Sequence, residues 1–429
     1  MSELAIAGIG VVAMLGLMLL RMPVAFAMMV VGFVGALVVL TPSAALRLIS
    51  ADVWSQLSDF SLSVIPMFVL MGQVVYRSGV TQRLYETAHK WIGHLPGGVA
   101  GTTILASMGF AMVSGSNTAT TATMGTVGLP EMRRYGYARS LASSSVAMGG
   151  TLGVIIPPSV VLIVVAIQAE MSISTLFVAA IIPGVILTLL LLLTVVVLCR
   201  VRPGLGPPSE KASWMARISS LGGVVETLLL FALVIGGLSL GWFTPTEAGA
   251  VGAFGAFLIG FARRKLNWEQ IRLAVGETLR ISAMVVLLMA GAVVISRFLT
   301  VTRLPFELAA WATELAVAPL AILLVILLIY LVGGLIMDAL GFLVATVPIF
   351  FPVAVALDFN LVWFTILITL VTSLGAVTPP VGVNVYIVSS LDPDLGVVEV
   401  FRGIIPFILS YVLVIGLIIA FPGIVALLL

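Results

Sequence analysis

Ten apolar runs of roughly the length that crosses a bilayer as helix recur along this chain, at 4–20, 23–41, 59–76, 138–168, 174–199, 219–241, 245–262, 279–298, 361–388 and 403–425. That repetition leaves few folds open. In hydrocarbon every backbone N–H and C=O needs an internal partner, so a chain spans as helices or as a closed barrel, and runs this long read as helices. Hydrophobic residues make up 61% of the chain and charged residues 9%, against about 25% charged in an ordinary soluble domain. The fold class is an all-α polytopic membrane protein. The first run has no basic flank and no clear cleavage site, so it reads as a retained spanning helix.

Two further apolar runs, 97–129 and 318–357, are long for one crossing and are broken in the middle. Each reads as a re-entrant helical hairpin, with its tip at Ser114–Thr120 or Gly334–Gly341. More polar segments, Thr81–Leu95 and Thr302–Leu315, precede the hairpins and have the character of helices lying along the interface. The runs 138–168 and 361–388 are interrupted too, at Gly153 to Pro157-Pro158-Ser159 and at Gly375 to Thr378-Pro379-Pro380. Non-helical backbone survives at membrane depth only inside protein or against a cavity, so tips and interruptions together mark a binding site.

These landmarks repeat at a nearly constant offset. Gly375 and Pro380 follow Gly153 and Pro158 by 222 residues, as Pro245 follows Pro23 and Pro352 follows Pro130. The chain therefore reads as two copies of one plan. The first, 1–199, holds hairpin 97–129 and broken span 138–168; a cytoplasmic linker covers 200–218; the second, 219–429, holds hairpin 318–357 and broken span 361–388. Lys and Arg set the orientation, because cytoplasmic loops carry the excess. With the N-terminus outside, 17 of the 20 fall on the cytoplasmic side and only Arg47, Arg297 and Arg303 outside. The first hairpin then opens to the cytoplasm beside Arg133-Arg134 and the second opens outside beside Asp358, which makes the repeats inverted.

Broken helices present free N–H groups at one new end and free carbonyls at the other, suited to carboxylates and to hard cations respectively. Ser114, Ser116, Asn117, Thr118 and Thr151 stand at the first break; Thr372, Ser373, Thr378 and Asn384 stand at the second. Individually these residues read equally well as helix caps; as clusters at matched positions they read as a ligand or ion site. Asp338 lies 222 residues after Ser116 in an otherwise apolar run, and an intramembrane carboxylate is a functional candidate that can also cap a helix. Glu226 reads as structural, near the interface and paired with a partner chain, and Glu247 reads as a first-turn partner of the cap at Thr244-Pro245-Thr246. Enzyme readings lack support: there is no His-Glu-x-x-His, no phosphate-binding Gly-rich loop, and neither His89 nor His94 lies near a break. The single cysteine, Cys199, excludes a disulfide within the chain. A channel is the other class that uses broken helices, but a filter comes from symmetric copies of a loop around one axis, and two inverted halves fit alternating access better. An ion channel or a stand-alone secondary carrier stays as the alternative.

The motifs Ser114-Gly115-Ser116-x-x-Ala119-Thr120, Gly150-Thr151-Leu152-Gly153-x-x-Ile156-Pro157-Pro158-Ser159, Phe243-Thr244-Pro245-Thr246-Glu247-Ala248, Gly334-x-x-x-Asp338 and Thr378-Pro379-Pro380-Val381-Gly382 span nearly the whole chain in order. In this set the chain resembles the large membrane subunit of tripartite ATP-independent periplasmic (TRAP) transporters. The resemblance implies an elevator-type transporter in the bacterial inner membrane, coupled to sodium (Na+). It implies as partners a small four-helix membrane subunit and a periplasmic substrate-binding protein, with a small carboxylate as substrate: a dicarboxylate, sialic acid or another sugar acid. On that reading Ser114, Gly115, Ser116, Asn117, Gly149, Thr151 and Gly153 form one sodium site. Gly334, Asp338, Thr372, Gly375 and Thr378 form a second, and the substrate sits among Asn117, Thr118, Pro157, Pro158, Ser159, Thr378, Pro379, Pro380 and Asn384. One departure is Ser373, just before Gly375, where many members carry an acidic or amide residue.

Overall fold

The computed structural model describes residues 2–392 and 394–429, and among these it contains helices and no strand. The first half runs through α1 (Glu3–Leu19), α2 (Val24–Val39), α3 (Pro42–Ser58), α4 (Val64–Arg77), α5 (Val80–Ile92), α6 (Gly98–Ser114), α7 (Asn117–Arg134), α8 (Arg139–Ile155), α9 (Val160–Gln168) and α10 (Ile173–Val201). Then α11 (Trp214–Ser220), α12 (Gly222–Phe231) and α13 (Gly237–Ser239), with a π-helical turn at Ala232–Gly236, make one apolar rod. The chain continues through α14 (Pro245–Ala262), α15 (Trp268–Val301), α16 (Leu304–Glu314), α17 (Pro319–Ile336), α18 (Ala339–Ala356), α19 (Leu361–Gly375), α20 (Val383–Leu391) and α21 (Val397–Ala420). Among the described residues nine helices, counted across their short breaks, are long and apolar enough to cross a bilayer.

The helix ends explain many of the polar residues. Ser116, Ser159, Ser172, Asn267, Asp338 and Asn360 each accept a backbone N–H in the first turn of the helix they precede. Thr244 and Glu247 complete a reciprocal capping box on α14. Two elements differ from the sequence expectation. α15 starts at Trp268, well before 279, because Asn267 caps it and its first turns are amphipathic, with Glu269, Arg272 and Glu277 interrupting the apolar run. α3, where no span was expected, is a helix whose apolar run is interrupted by Arg47, Asp52 and Gln56 while the helix continues.

The spacing of 222 carries through the elements. Adding it to the ends of α6, α7 and α8 gives 320–336, 339–356 and 361–377, against the observed Pro319–Ile336, Ala339–Ala356 and Leu361–Gly375. Subtracting it from α15 gives 46–79, where the first half has two helices, α3 and α4, in place of one. Close crossings hold the rods together. A Cβ on Gly32 of α2 would lie 2.7 Å from the backbone of Val294 on α15, and one on Gly291 would lie 2.7 Å from the Ala25 carbonyl oxygen. The helix that follows each tip packs on the other half: α7 on α20, and α18 on α9.

Glu226 corrects an expectation. It lies between two guanidiniums of its own chain, bonded to Arg83 Nη1 at 3.1 Å and to Arg263. α12 brings it beside both α5 and the end of α14, so no second chain is needed to neutralise it.

Candidate functional site

At the first tip the chain turns through Gly115 and Ser116 alone. Gly115 has φ +58°, and a Cβ there would stand 2.3 Å from the Pro158 carbonyl oxygen. Only glycine satisfies both the left-handed turn and that approach. Its own carbonyl accepts the Val160 N–H at 3.1 Å, so the tip is bonded directly to the start of α9. Gly153 of α8 completes the joint, since a Cβ there would lie 2.5 Å from the Ser116 carbonyl oxygen and 2.9 Å from the Asn117 nitrogen. Gly149 lies equally close to Ser107 of α6. Ser114 Oγ and Thr120 Oγ1 are 3.1 Å apart, and Thr151 Oγ1 donates to the Met148 carbonyl. Pro157, Pro158 and Ser159 are all buried.

In the second half, Gly334, Thr372 and Gly375 meet: a Cβ on Gly334 would lie 2.5 Å from the Thr372 carbonyl oxygen, and one on Gly375 would lie 2.6 Å from Gly334. Thr372 within α19 and Thr378 just past its end donate their hydroxyls to α19 carbonyls, of Ile368 and Leu374, and keep oxygen lone pairs for another partner. Pro379 and Pro380 are exposed. Asp338 caps α18 through the Leu340 N–H at 3.1 Å and is exposed to a cavity that also contains the first tip.

Between the first tip with α8 and the second break, three hydrogen bonds join the halves. Asn384 Nδ2 donates to Asn117 Oδ1 at 2.6 Å and to the Ala147 carbonyl at 3.1 Å, and both asparagines are buried. Ser373 Oγ donates to the Thr151 carbonyl at 3.2 Å and also meets the Tyr411 hydroxyl at 3.3 Å. That network accounts for Ser373.

The cavity has a volume of about 370 Å³ and is walled by the first tip, Asp338, α4 and α15. That is the size of pocket that takes a small organic molecule. Ser114, Gly115, Ser116, Asn117 and Thr118 line it; Thr378, Pro379 and Pro380 do not. It also contains Gln73, Tyr76, Arg77 and Glu277, which the sequence reading passed over. Arg77 ends an apolar run and reads there as a cytoplasmic anchor, and Glu277 precedes the expected start of a span. Neither carries a one-dimensional signal that it faces a cavity.

A match to the DctM component of tripartite ATP-independent periplasmic transporters covers residues 11–424. The chain belongs to this family. The large permease protein DctM of a C4-dicarboxylate TRAP transporter from Pseudomonas aeruginosa is 33% identical over 84% of each chain. The large permease protein SiaM of a sialic acid TRAP transporter from Vibrio cholerae is 31% identical over 95% of each. Among solved structures, the YdaH transporter of Alcanivorax borkumensis superposes with a TM-score of 0.64 at 16% identity, covering 89% of this chain and 90% of that one, a likeness of fold. A TRAP large permease is a transport component and not an enzyme, and this one is a multi-pass protein of the bacterial inner membrane.

Proposed function

We propose that this permease imports a small organic carboxylate with sodium by an elevator form of alternating access. It would act with a small membrane subunit and a periplasmic binding protein that delivers the cargo. The observation that carries the reading is the pair of tips resting on helix breaks at matched positions, with an organic-acid-sized cavity reaching the first tip and Asp338. Sodium exchanges its water for several oxygens. Ser114, Gly115, Ser116 and Asn117 with Gly149, Thr151 and Gly153 offer carbonyls and hydroxyls at one joint; Gly334, Thr372, Gly375 and Thr378 offer them at the other, with Asp338 adding charge nearby. A cation held there favours a carboxylate beside it, which gives coupling a physical basis. The cargo would lie among Asn117, Thr118 and the cavity wall, with Pro157, Pro158, Ser159 and Asn384 supporting from behind. Thr378, Pro379 and Pro380 would face it from the second break in another position of the cycle. C4-dicarboxylates and sialic acid are the cargo classes of the named relatives and the first to try.

The ion pairs support the grouping of segments onto two faces, since each joins residues of one face: Arg83 and Arg263 with Glu226, Arg133 with Asp392, and Arg297 with Asp52; which face is cytoplasmic rests on the excess of Lys and Arg. The test is uptake into proteoliposomes, which should need all three components and a sodium gradient. Asn117→Ala and Thr372→Val should raise the sodium concentration for half-maximal uptake. Unchanged sodium dependence in both folded variants would reduce these side chains to caps. Full uptake of free cargo by the isolated chain would make it a stand-alone carrier.

A further inference from the structure

Arg77, at the C-terminal end of α4, is the one Lys or Arg among the described residues that line the cavity at the first tip. Its bonding is incomplete. The Nε is buried without a partner, and Nη1 reaches only Gln270 Oε1, at 3.4 Å. Other arginines of this chain that meet the opposite half reach an oxygen there: Arg83 on the Glu226 carboxylate, Arg133 on Asp392, Arg297 on Asp52 and Arg139 on the Asp394 carbonyl. Among the described residues no carboxylate lies within ion-pair distance of Arg77, although Glu277 and Asp338 line the same cavity.

We propose that Arg77 receives the carboxylate of the cargo in this cavity, as the fixed cationic contact on the cytoplasmic side of its path. The inference rests on the carboxylate-importer reading above and names a residue that reading does not use. A guanidinium offers a planar fork that fits a carboxylate through two parallel N–H···O bonds, and the unsatisfied Nε is one edge of such a fork. Arg77 stands on α4 while the hydroxyls of Ser114 and Ser116 stand on the tip, so cargo leaving the tip meets it within one cavity. Glu277 works against the contact, because a like charge in the same space weakens the hold on an anion. The result is an attraction strong enough to draw cargo off the tip and weak enough to release it to water.

The test uses the chain with its small membrane subunit in proteoliposomes, with succinate and N-acetylneuraminate as probes. The internal concentration giving half-maximal counterflow is measured beside the external value for cargo on its binding protein. Arg77→Gln should raise the internal value about tenfold, the loss of one charge-assisted contact, and leave the external value unchanged. Arg77→Lys should recover part of it, since charge is kept and the fork is lost. Glu277→Gln should lower it. An unchanged internal value in Arg77→Gln overturns the assignment and leaves the importer reading standing. If Arg77→Gln does not fold, unchanged values in both Arg77→Lys and Glu277→Gln overturn it. No counterflow of either carboxylate by the unmodified complex overturns the importer reading, and the role of Arg77 falls with it.

Discussion

The two hairpin tips are made of matching parts and are held in different ways. The first turns through a left-handed Gly115, gives its carbonyl to Val160 and covers Pro157, Pro158 and Ser159. At the second, the place of Gly115 falls to Met337, whose backbone is extended at φ −127° and ψ 159°, and Pro379 and Pro380 stand exposed. Asp338 faces the cavity of the first tip. One joint is closed by a backbone hydrogen bond across it. The other leaves its break open to a partner, so matching parts yield one fixed and one accessible seam.

The largest effect expected is all-or-none and concerns the premise that the tips point opposite ways. Gly136 and Asp358, 222 residues apart, both take left-handed turns where α7 and α18 end. In a Cys199→Ser background, Gly136→Cys and Asp358→Cys should react with an impermeant thiol reagent from opposite sides of the membrane. Reaction of both from outside would end the comparison. Next comes Gly115→Ala, which meets both a positive φ and the Pro158 carbonyl at 2.3 Å; it should cost about 3 kcal/mol. Gly382→Ala at the second break also has positive φ, +62°, but its nearest neighbours would be the Phe401 ring at 3.0 Å and the Thr378 carbonyl oxygen at 3.3 Å, and it should cost about 1 kcal/mol. Melting temperatures in detergent that fall equally would erase the distinction between fixed and accessible joints.

Asn117 and Asn384 are where the first tip and the second break touch, so a double-mutant cycle to alanine should show about 1 kcal/mol of coupling. Additive losses would mean that the seams act independently. The smallest contrast sets Ser159→Ala, which removes a buried cap on α9 and should cost about 1 kcal/mol, against Thr378→Ala, whose hydroxyl donates only to the Leu374 carbonyl at the end of α19. The second change should move the melting temperature by the equivalent of about 0.5 kcal/mol or less.

Much of this architecture could be read from residues before any coordinates. Apolar run lengths locate most helices because lipid imposes one length on all of them. The criterion fails where a helix is amphipathic: α3 and the first turns of α15 carry Arg47, Asp52, Glu269 and Arg272, so hydropathy drops while the helix continues. The Gly and Pro at tips and breaks announce close approach, and Gly153 does meet Ser116. Which tip meets which wall could not be read, because it depends on the crossing of distant helices. Asp338 shares its cavity with Ser114, and Arg77 turns inward, for reasons that lie in packing alone.

Thr151 and Ser373 differ in number by the repeat length and touch through Ser373 Oγ and the Thr151 carbonyl. A position that meets the residue 222 further on is one where each residue is part of the other's surroundings. Elsewhere a substitution in one half is judged by its own surroundings alone, and Gly115 and Met337 show how different residues at that spacing can be. Here a change in either copy alters the environment of the other at once. A change at the crossing therefore acts on both halves together, and Thr151 and Ser373 differ by one methyl group.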